Sequence, residues 1–340
     1  MTKRPDDRWP QAARGLVVEL MPGVHGPVEF SGAADMLIQG CEGAVIEGSL
    51  AADGPGNPEC SIRANDGCHR LAILGPLEIR GSDGRGLRIT MADDIQIADL
   101  TIKHCSIEGI ITGGCPRGTY TNLTVEDSDG YCPGYPPDKC HGLYISGNAD
   151  GSVVSKLTVR RVTGSGLQVN GAGMNAVASG VRASELVFEH VGSGGTAPIS
   201  LMAVQDSTFE KFHIDWSAPD DRWGVCFDDG KGPAYACHRV TFQEYTAPRG
   251  KECAVEAGST NIRQEPGAGW SPEEPVPPEP QPEPPDNEAL ALALADATAA
   301  VAAIGRQQAA AQQAVAEIGQ QAIVAQEALA RATAAAGTQT

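Results

Sequence analysis

Between residues 35 and 258, apolar and polar residues alternate in short runs separated by glycine, and no stretch has a helical period. Alternation of this kind puts successive side chains on opposite faces of an extended strand. The runs also recur. One series reads GPLEIRG, IADLTIKHC, YTNLTVEDS, VSKLTVRRV, ASELVFEHV, FEKFHIDWS and CHRVTFQEY. Aligned on Leu77, Leu100, Leu123, Leu157, Leu186, Phe212 and Val240, its spacings are 23, 23, 34, 29, 26 and 28 residues. A second series runs out of phase, with GLRIT from Gly86, GIITG from Gly109, GLYIS from Gly142, GLQVN from Gly166, PISLM from Pro198, GVCFD from Gly224 and ECAVE from Glu252. Segments such as DDIQI and GSVVS predict a third, shorter strand in each repeat.

Repeats of this length, with short strands and turns of variable size, are what a coiled parallel sheet produces, because each turn buries its inward residues against the next. A sandwich or propeller competes, but insertions at fixed points of the repeat favour a solenoid. Over about residues 35 to 260 the periodicity resembles the right-handed parallel β-helix superfamily, the pectate-lyase-like proteins that include many phage tail spikes. The resemblance implies an all-β fold, a right-handed parallel β-helix solenoid over residues 35–265. Residues 1–34, with DDRWPQAARGL, are expected to cap its first rung.

Alternation assigns sides. In the first series Leu100, Ile102, Leu123, Val125, Leu157, Val159, Leu186 and Phe188 point inward. The outward columns then run Asp99, Asn122, Lys156, Glu185, Lys211, Arg239; Thr101, Thr124, Thr158, Val187, His213, Thr241; and Lys103, Glu126, Arg160, Glu189, Asp215, Gln243. Mixed charges at rung spacing predict a solvated ladder of weak pairs. The second series turns outward Arg88, Ile111, Tyr144, Gln168, Ser200, Cys226 and Ala254, with Thr90, Gly113, Ser146, Asn170, Met202, Asp228 and Glu256 two residues on. That strip is neutral and polar. Amides, hydroxyls and an aromatic ring are groups that hydrogen-bond to sugars and stack on them, so Tyr144, Gln168 and Asn170 are candidate carbohydrate contacts.

Beyond residue 265 the composition changes. Residues 266–287 alternate proline with glutamate and predict an extended linker, since proline lacks a backbone donor and the glutamates repel. Residues 288–336 are rich in alanine, glutamine and leucine and carry a heptad seam, with Leu294, Val301, Gln308, Val315, Ala322 and Leu329 at a. This predicts an α-helical coiled coil in which a single polar Gln308 sets register, with a homotrimer as the expected assembly. Gly305 and Gly319 keep a solitary helix as the competing reading.

The formal charge of −18 disfavours nucleic acid and anionic membranes as partners, and no stretch is long and apolar enough for membrane insertion. The early basic pair is followed by no apolar h-region, which predicts no signal peptide. Ten irregularly spaced cysteines then read as buried thiols rather than a disulfide framework.

Candidate chemistry concentrates in EDSDGYCPGYPPDKCHGLY, residues 126 to 144, the segment that enlarges one repeat to 34 residues. It holds Asp127, Asp129, Asp138, Lys139 and His141, candidates for an acid/base cluster, and Tyr131 and Tyr135, usable as sugar platforms. Cys132, Cys140 and His141, with Cys115, are weak metal candidates; a Cys132 to Cys140 disulfide competes, as does a loop simply pinned by its prolines. The resemblance also implies where enzymes of the superfamily keep carboxylate clusters or paired aspartates. Neither pattern is clear here, Asp228 and Asp229 with Lys231 coming closest. No phosphate loop, GxSxG elbow or HExxH occurs, and no cofactor is implied.

These features predict a phage spike or tail-fibre type virion protein, assembled in the host cytoplasm, that touches host polysaccharide and contacts other virion proteins. Two alternatives stand beside it: a polysaccharide lyase, hydrolase or epimerase, and a structural decoration or adaptor without a glycan ligand.

Overall fold

The computed structural model describes residues 1–272 apart from 33, 53–58, 66, 82, 129–139, 175, 194–195, 216–221, 228–235, 248–251 and 256–257. The coiled coil expected at 288–336 and most of the linker lie outside the described residues, as do Asp129, Tyr131, Cys132, Tyr135, Asp138 and Asp228.

Among the described residues the strands form a fourteen-stranded and a nine-stranded sheet, here the long and the short sheet. Every pairing between strands is parallel, and each strand pairs with its counterpart one repeat away. The first series forms the long sheet, in strands such as Gln96–Lys103, Thr119–Ser128, Val153–Val162 and Arg182–Val191. The second forms the short sheet, with Arg85–Thr90, Ile110–Gly113, Leu143–Ser146, Leu167–Asn170 and Ile199–Met202 in register. All eight inward positions expected of the first series are at most 1% exposed.

The third strand is present and continuous with the first series. In six successive long strands the residue at one common register position adopts a left-handed conformation: Asp99, Asn122, Lys156, Glu185, Lys211 and Glu244, with φ between 51° and 57°. An L-residue there is uncommon, and its effect is that of a bulge. It resets the alternation, so that Ile97 and Leu100, three apart, are both buried. Each of these six strands is thereby two short strands meeting at a corner. The corner residues point to solvent, where Asn122 Nδ2 donates to Asp99 Oδ1 at 2.6 Å.

Three sequence expectations need correction. Val240 does not follow Phe212; it pairs with Ser207, while Phe212 pairs with Tyr245, making the last spacing 33. Glu244 therefore completes the corner column in place of Arg239, Thr246 follows His213, and Gln243 pairs with Glu210. In the short sheet Val225, not Cys226, pairs with Ser200, a slip of one residue. Finally, the solenoid begins before residue 35: Thr2–Lys3, Val17–Leu20 and Val28–Phe30 are already strands of the two sheets. The first rung is covered locally. Trp9 donates to Gly26 O at 2.9 Å and meets Phe30 edge-on, while buried Lys3 donates to Arg4 O and Asp7 O beneath the Trp9 ring.

The thiols sit inside. Cys60, Cys68, Cys105, Cys115, Cys140, Cys237 and Cys253 are buried, and burial pushes the Cys115 thiol up to about 11.

Candidate functional site

Four successive strands of the short sheet have a glycine at their start packed against the long sheet: Gly86 within Arg85–Thr90, and Gly109, Gly142 and Gly166 just before Ile110–Gly113, Leu143–Ser146 and Leu167–Asn170. A Cβ at Gly86, Gly109, Gly142 or Gly166 would lie 2.6, 2.4, 2.7 and 2.2 Å from the side chains of Ile102, Val125, Val159 and Phe188. No side chain fits there, which is why the repeat carries glycine at this point. The residue before each of these glycines is polar.

Those preceding residues are Arg85, Glu108, His141 and Ser165, a column of polar groups at most 4% exposed. Arg85 Nε donates to Glu108 Oε2 at 2.6 Å. His141 Nδ1 accepts the Ser165 backbone N–H at 3.0 Å, and Ser165 Oγ lies 2.8 Å from Ser200 Oγ. The accepted bond requires an unprotonated Nδ1, so any proton on the neutral ring is at Nε2.

Beside this column runs the outward strip. Tyr144 and Gln168 pair across adjacent strands, as do Ser146 and Asn170. Asn170 Nδ2 donates to Tyr144 Oη at 3.0 Å, and the Tyr144 ring meets the His141 ring edge-on at 5.3 Å. The aromatic ring is thus fixed from two sides. Gln168 Oε1 is buried and has no hydrogen-bond partner among the described residues. A buried acceptor without a donor costs about 1–3 kcal/mol, and a ligand hydroxyl would recover part of it.

The structure brings His141, Tyr144, Gln168 and Asn170 together. It does not bring in Asp127, which occupies a left-handed corner of the long sheet (φ 58°) and is held by Arg161 at 2.5 and 3.0 Å. That guanidinium keeps the Asp127 carboxyl below its ordinary range, which makes it a poor proton donor. Cys115 and Cys140 lie at opposite ends of neighbouring short strands, Cys115 after Ile110–Gly113 and Cys140 before Leu143–Ser146. Their thiols donate to backbone carbonyls, of Gly113 at 3.4 Å and of Ser106 at 3.7 Å. Among the described residues no group of His, Cys, Asp and Glu has metal-binding geometry. Sequence reasoning missed Arg85, Glu108 and Ser165, although the residue before each repeat glycine was the signal.

No family model matches the chain, and no curated protein sequence matches it. Solved structures do. Geobacillus virus E2 ORF18 aligns over 73% of this chain and 51% of its own, with a TM-score of 0.50 and 11% identity. The chain is a parallel β-helix. This β-helix spans about half of the ORF18 chain. The Streptococcus pneumoniae surface protein and adhesin PfbA aligns over 76% of the β-helix chain and 66% of its own (TM-score 0.43, 10% identity). Endo-xylogalacturonan hydrolase from Aspergillus tubingensis aligns over 75% and 85% (TM-score 0.42, 11% identity). At these identities what the β-helix shares is fold.

Proposed function

We propose that this protein is a phage virion component of the spike or tail-fibre type that binds host-surface polysaccharide along the outer strip of the short sheet. The observation that carries the reading is the buried, unmet Gln168 Oε1 between the fixed Tyr144 ring and the Ser200 hydroxyl. When the half-buried Gln168 side chain turns its amide outward, a sugar hydroxyl supplies the missing donor, and a pyranose face packs on the ring. A virus protein among the structures of similar fold supports the virion setting. In this reading residues 288–336 assemble three copies and contact other virion proteins.

A second reading, a polysaccharide-cleaving enzyme, is favoured by one feature: the buried Glu108 and His141 stand at the edge of the same strip. Incubating the protein with a panel of purified bacterial capsules and lipopolysaccharides separates the two. Binding with chain length unchanged supports the display reading. Shortened chains replace it with the enzyme, and a blank panel removes both.

A further inference from the structure

The outer face of the long sheet carries a concavity of about 320 Å³ that has no part in the strip described above. It lies on the segments before the corners, across four neighbouring strands, and is lined by Val153, Arg182, Ser184, Thr208, Glu210 and Gln243. At the spacing of paired strands it extends about 14 Å along the solenoid. Its floor is made of small side chains, the Ser184 and Thr208 hydroxyls beside Val153. One wall is built: Gln243 Nε2 donates to Glu210 Oε2 at 2.7 Å, which fixes both groups.

Arg182 stands at the rim and is exposed. Its situation differs from that of the arginines on the ladders. Arg70, Arg117, Arg160, Arg161 and Arg239 are each held by one or more carboxylates. Among the described residues Arg182 has no such partner, although it shares its concavity with Glu210.

We infer that this concavity is a second ligand site, for a short stretch of acidic glycan lying along the solenoid, with a uronate carboxylate on Arg182 and sugar hydroxyls on Ser184, Thr208, Glu210 and Gln243. A guanidinium matches a carboxylate through two parallel N–H donors. Glu210 accepts from sugar hydroxyls and repels a carboxylate, so the two charges fix which end of the ligand lies where. The site is independent of the Tyr144 strip, and its success or failure leaves that reading untouched.

The test is calorimetric titration of the full chain with tetrasaccharides of galacturonate, glucuronate and mannuronate, and with their carboxyl-reduced counterparts. At least one uronate binds, its reduced form binds about tenfold more weakly, and Arg182→Gln lowers uronate affinity by about the same factor, the scale of one charge-assisted contact. Arg182 is exposed, so its replacement spares the core; Thr208→Val, which removes one hydroxyl at nearly constant shape, is a second probe and lowers affinity too. No binding by any uronate, equal binding of a reduced form, or unchanged affinity in Arg182→Gln overturns the proposal.

Discussion

Arg85, the first residue of a short-sheet strand, and Glu108, two residues before the next strand, form an ion pair of 2.6 Å between side chains only 5% and 3% exposed. Both charges have left water, so removing either one takes this ion pair from a charge that stays buried. Glu108→Ala is expected to cost about 3–5 kcal/mol, read as a shift of the urea midpoint, while replacing both partners by apolar residues of similar volume costs much less. A single substitution as stable as the parent would mean that the pair is not buried.

The glycine column makes a sharper prediction. A Cβ on Gly166 meets three atoms of the Phe188 ring, the nearest at 2.2 Å. Gly166→Ala therefore destabilises by about 1–3 kcal/mol, the range for overpacking, and Phe188→Leu in the same chain recovers part of the loss. The coupling in a double-mutant cycle checks it, and strict additivity would contradict the contact.

Tyr120 is fully buried, with Oη 2.8 Å from Thr112 Oγ1, and burial pushes its phenol far above the usual range. Tyr120→Phe leaves the Thr112 hydroxyl without this partner in the interior. Thermal unfolding is expected to show a loss of about 1–3 kcal/mol.

Acid stability follows from the ladders. Arg70, Arg117, Arg161 and Arg239 hold the carboxyls of Asp35, Asp94, Asp127 and Asp206 below their ordinary range, Asp35 at about 2. A carboxylate depressed in the folded state makes the unfolded chain the better proton binder. The contribution is thus fully present above the ordinary value of about 4 and is lost as pH falls from there through about 2. Melting temperature against pH should drop across that window, and Arg70→Gln should flatten the drop. These groups are exposed, and salt should weaken the effect.

Much of this architecture was legible because burial enforces alternation: Leu123 and Val125 could face nowhere but inward. The last rung was not, for a physical reason. The left-handed corner creates two inward sets three residues apart, so Val240, which belongs before the corner, matched the pattern of Phe212, which lies after it. Hydrophobicity cannot tell the two apart; the Phe212 and Tyr245 rings, stacked at 4.7 Å and 3°, settle the register. The site was half legible. Tyr144, Gln168 and Asn170 follow from alternation, whereas Arg85, Glu108 and Ser165 precede the glycines at which the alternating runs begin. Asp127 looked like loop chemistry, yet the strand continues through it to Ser128.

The most direct test of the account is binding of the protein to a capsule or lipopolysaccharide that it retains, compared with Tyr144→Ala and Gln168→Leu, both at half-buried positions of the strip. The account predicts that each substitution weakens binding by about tenfold or more while the fold is kept, since each removes a contact worth about 1–2 kcal/mol. Affinity unchanged in both variants would contradict it.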